Sequence, residues 1–219
     1  MVGAGTVTTS WALSLATYHL LATPRILAKL KTELQAAIPD PDAPIALPVL
    51  EKLPYLVAVV QEAIRLSYGV ASRLQRISPE KALTFKDTCS GKQWCIPPNT
   101  PVSMTSVLIH HDESIFADAS SFIPERWIEN PRLDRYMVSF SKGSRQCLGI
   151  NLAYAEIYLC LSKIFLRFGS GGESGVRMQG DEGVLELFKT GPRDVEIEAD
   201  GFAPLAAEGS QGVRVLVKS

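Results

Sequence analysis

The sequence predicts an α+β fold, mainly α, and three observations carry that reading. Apolar residues recur at helical spacing through the first third of the chain. Short strand and turn patterns replace them beyond Gly69. A further apolar helix then begins just after Cys147, with small strand segments behind it.

Taken in order, residues 4–22 read as a helix. Thr23 and Pro24 stand as N-cap and first position of the next, which runs to about Ala37. Residues 39–48 carry Pro39, Pro41, Pro44 and Pro48, the composition of a linker or loop. Residues 53–67 form a third apolar helix. Residues 85–98 contain Ser90-Gly91, a hairpin or loop tip, and residues 88–93 look like an insertion forming that tip. Residues 102–109 read as a strand followed by a turn. Glycines from Gly169 to Gly175 end the helix that follows Cys147, and strand candidates lie at 194–198 and 213–217. No internal repeat is visible.

The 219 residues are 46% hydrophobic and 21% charged, with a net charge of −1. That composition describes one globular unit with enough apolar residues for a core. Near-neutral charge argues against nucleic acid as a general partner. The four cysteines (Cys89, Cys95, Cys147 and Cys160) form no CxxC pair, which fits a reducing compartment. Cys89 and Cys95 with His110 and His111 fit a zinc site poorly, because five residues separate the cysteines and the histidines adjoin. Residues 1–24 carry no Asp, Glu, Lys or Arg, but Gly3, Gly5, five threonines and two serines dilute their hydrophobicity. A buried helix is the better reading than a membrane span.

The most informative stretch is Phe140-Ser141-Lys142-Gly143-Ser144-Arg145-Gln146-Cys147-Leu148-Gly149, followed by a helix-forming run from Ile150. Cys147 therefore sits just before a helix N-terminus, where free N–H groups and the helix dipole stabilise negative charge on sulfur. This pattern resembles the haem-binding loop of the cytochrome P450 family of haem-thiolate monooxygenases. The resemblance implies that Cys147 is the axial ligand of a haem b iron, donating electron density that promotes O–O cleavage. It implies that Arg145 holds a porphyrin carboxylate, and that Phe140 shields the metal–sulfur bond. Gly143 and Gly149 would supply backbone conformations or close approaches that a Cβ forbids.

Three further motifs agree with it. Glu62 and Arg65 fall on one face of an otherwise apolar helix, so their charges are partly buried and need further partners. With Arg126 in Pro124-Glu125-Arg126-Trp127 they resemble the family's structural brace for the cysteine loop, Trp127 replacing a common phenylalanine in a mild change. Arg76 resembles the second propionate-binding arginine, which would carry residues 68–74 near the substrate. Ala4-Gly5-Thr6-Val7-Thr8-Thr9 resembles the oxygen-activating helix. There Gly5 leaves space for dioxygen, Thr8 perturbs the i−4 hydrogen bond, and Val7 replaces the usual proton-relay carboxylate, so proton delivery falls to Thr8, Thr9 and water.

The resemblance extends from Gly3 to Lys218 and implies the C-terminal part of the cytochrome P450 fold with small β-sheets. Residues 1–219 would form a single truncated domain. Its parts are a partial oxygen-activating helix at 1–22 that includes Met1, the Glu62–Arg65 helix at 53–67, the cysteine loop at 140–149 and small sheets at 176–218. The wording of residues 96–100, 110–112 and 122–127 is closest to fungal members acting in secondary metabolism. The implied partners are a small organic substrate and an NADPH-dependent reductase. Full-length relatives are expected at the endoplasmic reticulum membrane, through an anchor not seen in this sequence. A haem held only on its thiolate side would expose a large apolar face. The alternative is accordingly a catalytically silent remnant or interaction fragment, either soluble or on the cytoplasmic side. Residues 68–74 and 200–209 are the substrate-facing candidates.

Overall fold

The computed structural model describes residues 2–219; Met1, expected inside the first helix, lies outside the described residues. The helices are α1 (Val2–Ala22), α2 (Pro24–Ala37), α3 (Leu47–Leu50), α4 (Pro54–Ser67), α5 (Ser106–His110), α6 (Glu125–Glu129) and α7 (Ile150–Arg167). The strands are β1 (Leu83–Lys86), β2 (Gln93–Ile96), β3 (Phe168–Ser170), β4 (Gly183–Leu187), β5 (Ala199–Gly201), β6 (Ala203–Leu205) and β7 (Val215–Lys218). They form three small sheets. β1 and β2 pair antiparallel, as do β5 and β6, while β4 lies between parallel β3 and antiparallel β7. The α+β, mainly α class is as the sequence predicts.

The core is built where α1, α2, α4 and α7 meet. α2 is amphipathic, and Ile26, Leu27, Leu30 and Leu34 make one buried stripe at helical spacing. Leu56, Val59, Val60 and Ala63 of α4 meet Leu161 and Phe165 of α7 in the same cluster. A second cluster joins Ala58 to Phe116, Ala119, Trp127 and Leu133 beneath the α5–α6 segment. α1 enters the core mainly through its C-terminal half, although Thr9 is also buried. Ala12, Leu15, Ala16 and Leu20 enter the core, whereas Gly3 to Val7 are exposed. The buried-helix reading of residues 1–24 therefore holds for one half of that segment. Among the described residues no helix is long and apolar enough to cross a membrane.

Several local readings are corrected. Residues 102–109 are not a strand with a turn. Val102 makes an isolated bridge with Arg76, and Thr105 then caps helix α5 by accepting from the Val107 N–H. The run Val102–Ile109 is short and rich in β-branched residues, so its pattern suits either state and the cap decides. Residues 194–198 are not a strand either; Pro192–Asp194 is a 3-10 turn and pairing starts at Ala199. Pro192 fixes the turn, and the Asp194 carboxylate accepts from the Gly191 N–H. Leu47–Leu50 puts one helical turn at the end of the proline-rich linker. β3, immediately after α7, has no sequence pattern of its own. Thr23 is the N-cap of α2 as expected, but its carbonyl accepts from Ile26 and Leu27 while its hydroxyl makes no capping bond.

Lys31 is fully buried in α2, a position at which helical spacing predicts an apolar residue. Its ammonium donates to Asp181 at 2.7 Å and to the carbonyls of Phe165 and Phe168 at 2.6 and 3.0 Å. It thereby closes the α7 C-terminus and fixes the turn into β4. Removing one member of a buried pair strands the other charge. Asp181→Ala should cost about 3–5 kcal/mol in urea unfolding. A loss below about 1 kcal/mol, the range of an exposed pair, would contradict this placement.

Candidate functional site

The site is organised by α4, and through it by one carboxylate. Glu62 is fully buried. Its Oε1 accepts from Arg65 Nη2 at 2.8 Å, from Arg126 Nε at 3.1 Å and from the Ile123 N–H at 2.9 Å. Its Oε2 accepts from Arg65 Nε at 2.9 Å and from the Trp127 indole at 2.8 Å. Arg65, equally buried, spends its remaining donors on the carbonyls of His110, Ala119 and Ser121. Arg126 reaches the carbonyls of Ala117 and Asp118. The charges are thus wholly enclosed rather than partly buried, and every lobe has a partner, which is what makes their burial tolerable. Trp127 is not a mild replacement. Its indole N–H supplies a donor to Glu62 that phenylalanine lacks.

The brace reaches the cysteine loop through residues to which the sequence reading gave no such role. His110 Nδ1 donates to the Arg65 carbonyl at 2.8 Å, and its Nε2 accepts from the Val138 N–H at 3.2 Å. A carbonyl on one side and an N–H on the other fix a single neutral tautomer. Burial, opposed only partly by the backbone bonds, lowers the His110 pKa to about 4. Ser139 donates its hydroxyl proton to the Ile64 carbonyl at 2.8 Å. Gly69 has φ of +65°, and a Cβ there would overlap the Ser139 carbonyl oxygen, so the end of α4 lies directly on the start of the loop. A second anchor holds α6 to α2: Glu125 accepts from Arg25, Lys29 and Tyr55. Burial works to raise the Glu125 pKa, but these bonds outweigh it and hold it at about 2.

The loop itself turns through Ser141 (φ 59°) and Gly143 (φ 79°) into a 3-10 turn, Gly143–Arg145. The Cys147 N–H then donates to the Phe140 carbonyl at 2.9 Å, which closes the loop. Cys147 is exposed and Gly149 N-caps α7, so the sulfur sits one short turn ahead of the helix as expected. Phe140 is half-buried against Tyr154, with ring centroids 5.4 Å apart. Gly143 supplies the expected left-handed backbone. Gly149 does not; its φ is −89° and an added Cβ would meet nothing within 4 Å. Its smallness leaves open space in front of the helix.

Arg76 lies beside this loop. Its backbone pairs with Val102, and its Nη2 donates to Ser141 Oγ at 3.1 Å. Arg145 and Arg76 are both exposed, and among the described residues no carboxylate pairs with either. The expected substrate segments also come together. The Ala71 N–H donates to the Phe202 carbonyl at 2.9 Å, and Ser72 Oγ donates to Asp200. Ala4, Gly5 and Thr8 occupy the exposed end of α1, which packs on α4 and α7. Thr8 Oγ1 donates to the Ala4 carbonyl at 2.8 Å, the i−4 bond anticipated, and nothing lies within 4 Å of a Cβ at Gly5. A cleft of about 590 Å³ opens elsewhere, between the ends of α1 and α4 and residues 192–197, and includes none of the loop residues.

These residues fit a dianionic porphyrin bound through sulfur. A thiol at an open surface supplies a soft axial donor. Two guanidiniums without acidic partners suit its carboxylates. Nothing lies within 4 Å of a Cβ at Gly149 or at Gly5, so neither position obstructs a bound group.

A family model described as Cytochrome P450 matches residues 1–179. The chain is 53% identical over 217 residues to a cytochrome P450 monooxygenase, tpcC, of Cochliobolus heterostrophus, covering 99% of this chain and 41% of that protein. It is 55% identical over 220 residues to the monooxygenase astB of Talaromyces wortmannii, covering 99% and 44%. A tryptophan 6-hydroxylase, fscE, of Fusarium equiseti is 37% identical over 222 residues, covering 100% and 39%. The chain spans about two fifths of the length of these relatives.

Three outcomes follow from the brace. Trp127→Phe should cost about 2 kcal/mol, the worth of a hydrogen bond to a charged group, and Glu62→Ala about 3–5 kcal/mol by stranding Arg65; chemical denaturation measures both. For His110, the unfolded imidazole binds a proton below about pH 6.5 that the folded one refuses until about pH 4. Its contribution to stability is therefore whole above pH 6.5 and lost as the pH falls to 4, by up to about 3 kcal/mol. His110→Phe should reduce the slope of the stability profile across that interval without abolishing it, because burial lowers the His19 pKa to about 4 as well; an unchanged slope would show that His110 does not contribute to it.

Proposed function

The chain belongs to the cytochrome P450 family, and on that premise we propose that it supplies the thiolate side of a haem monooxygenase. The reaction would place one oxygen atom from O2 in a small organic substrate, in fungal secondary metabolism. The observation that carries this reading is the physical coupling of the Glu62 brace to the loop that presents Cys147.

Haem b, when bound, would supply the oxygen-activating and electron-accepting chemistry, with electrons from NADPH through a reductase. The chain's own residues have separable tasks. Cys147 would be the axial ligand, held at its place by the N–H bond to Phe140. Arg145 and Arg76 would bind the two carboxylates, Arg76 positioned by its bond to Ser141. Phe140, against Tyr154, would keep water from the sulfur. Gly143 lets the loop turn, and Gly149 leaves room for the ring. Glu62, Arg65 and Arg126 touch none of the reacting atoms and act as positioning residues.

On the opposite face, Ala4 and Gly5 would leave room for dioxygen. The Thr8 hydroxyl now gives its proton to the Ala4 carbonyl, so its oxygen lone pairs can accept from water. Thr9, at 7% exposure, is less accessible than half-buried Thr8, so proton movement would rely mainly on Thr8. Residues 68–74 and the turn at 200–202, joined through Ala71 and Ser72, would form one wall of the substrate site. For full-length members of the family the compartment would be the endoplasmic reticulum membrane, and for this chain the cytoplasmic side or solution.

Reconstitution with haem tests the ligand set. A thiolate-type Soret band in the reduced, carbon-monoxide-bound spectrum is expected, lost in Cys147→Ala. Arg76→Ala and Arg145→Ala should each weaken haem uptake by about tenfold, the loss of one charge-assisted contact. Failure of the chain to take up haem would favour a catalytically silent fragment, and a Cys147→Ala spectrum like that of the unchanged chain would remove the ligand assignment.

A further inference from the structure

A second, smaller cleft of about 340 Å³ opens beyond the end of the β4–β7 ladder, where Leu187 pairs with Val215. Its size lies near the lower limit of small-molecule sites, roughly 300–1,000 Å³. The lining is Lys189, Arg193, Asp194, Gly209, Gln211 and Arg214. Arg214 is fixed by its backbone and its side chain alike. Its N–H donates to Thr190 Oγ1 at 3.0 Å, and its carbonyl accepts from the Phe188 N–H at 2.9 Å. The guanidinium donates to Gln211 Oε1 at 2.7 Å and to the Lys189 carbonyl at 2.9 Å. Its Nε is buried and has no partner among the described residues. Lys189 adopts φ of 46°, uncommon for any residue but glycine, and so brings that carbonyl to Arg214. Arg193 lies in the 3-10 turn Pro192–Asp194, and its Nη2 donates to the Glu208 carbonyl at 2.8 Å.

None of these contacts neutralises a charge. Both guanidiniums are held by uncharged oxygens, and Glu208 offers Arg193 its carbonyl rather than its carboxylate. Among the described residues Lys189, Arg193 and Arg214 form no ion pair. The Phe188 ring, 5.5 Å from Lys189 Nζ and 5.6 Å from the Arg214 guanidinium, supports both cations without neutralising them. The one acid in the lining, Asp194, is already engaged. Its Oδ1 accepts from the Ser210 hydroxyl at 2.6 Å and its Oδ2 from the Gly191 N–H at 2.9 Å. Three cations against one anion leave the lining with a net charge of +2. Holding like charges around one concavity costs energy that a bound anion recovers.

We propose that this cleft binds the phosphate group of a small anion, with Arg193, Arg214 and Lys189 supplying the cations that meet its oxygens. A phosphate dianion matches the lining in charge. Its several acceptor oxygens suit two planar guanidinium forks and one ammonium. A single carboxylate brings one charge and two oxygens, and leaves a cation unanswered. A Cβ added at Gly209 would meet nothing within 4 Å, so that wall leaves room for a group esterified to the phosphate. A free phosphate ion and a phosphate ester share this chemistry. The inference stands apart from the haem reading, because Cys147, Arg76 and Arg145 do not line the cleft.

Isothermal titration calorimetry of the whole chain with inorganic phosphate and with glycerol phosphate tests it. At least one of them should bind with a Kd at or below about 1 mM, the affinity of a few charge-assisted contacts. Arg193→Gln should weaken binding by about tenfold, the loss of one such contact. Lys189→Gln removes an ammonium that makes no hydrogen bond among the described residues. It should weaken binding by about fivefold, the attraction of two charges about 4 Å apart in water. An unchanged urea midpoint shows that a variant is folded, and Lys189→Gln serves if Arg193→Gln is not. Tighter binding of glycerol phosphate identifies an ester as the ligand; equal or weaker binding identifies the free ion. No saturation by either at about ten times that concentration, or affinities that neither variant alters, would overturn the proposal. So would an oligoglutamate peptide that binds where phosphate does not, which would make an acidic protein segment the occupant.

Discussion

Everything at the cysteine loop depends on how one buried carboxylate is satisfied. Glu62 receives donors from Arg65, Arg126, Trp127 and the Ile123 backbone, drawing α4 and the 123–127 stretch to one point inside the protein. An isolated carboxylate there would be untenable, because desolvation is costly wherever a charge lacks partners. Complete satisfaction turns that liability into a constraint. No member can move without leaving a charge unpaired, so the segment from His110 to Trp127 is held in one arrangement.

The constraint is passed on by short links rather than by contact with the cysteine. Arg65 presents its carbonyl to His110, His110 accepts from Val138, and Ile64 accepts from Ser139. Val138 and Ser139 immediately precede Phe140, whose carbonyl ties the Cys147 N–H. A rigid helix thus positions an exposed thiol through side-chain bonds to the backbone and one backbone bond, leaving the thiol's own surroundings open. On the proposed haem reading this division would serve binding, because the supporting shell is fixed while the surface around the thiol stays accessible.

The motifs were legible because their chemistry is local in sequence. Glu62 and Arg65 share a helix face by spacing alone, and Cys147 precedes α7 by adjacency. The relays were not. His110 sits in a stretch whose apolar pattern suggested a strand, and only the Thr105 cap makes it a helix that turns the imidazole inward. Gly69 was readable as a helix stop, but not as the surface on which Ser139 rests. Trp127 looked interchangeable with phenylalanine because sequence shows ring size and not the acceptor above the indole nitrogen. Lys31 broke a hydrophobic stripe for a reason supplied 150 residues later, by Asp181.

The sequence by itself determined the main helices and the family, since periodicity and fixed-spacing motifs are properties of neighbouring residues. Tertiary structure alone decided which charges are buried, which strands form and which cations are left without a counter-charge. Those outcomes depend on partners brought close only when the chain has folded, and no local pattern encodes the identity of a distant neighbour.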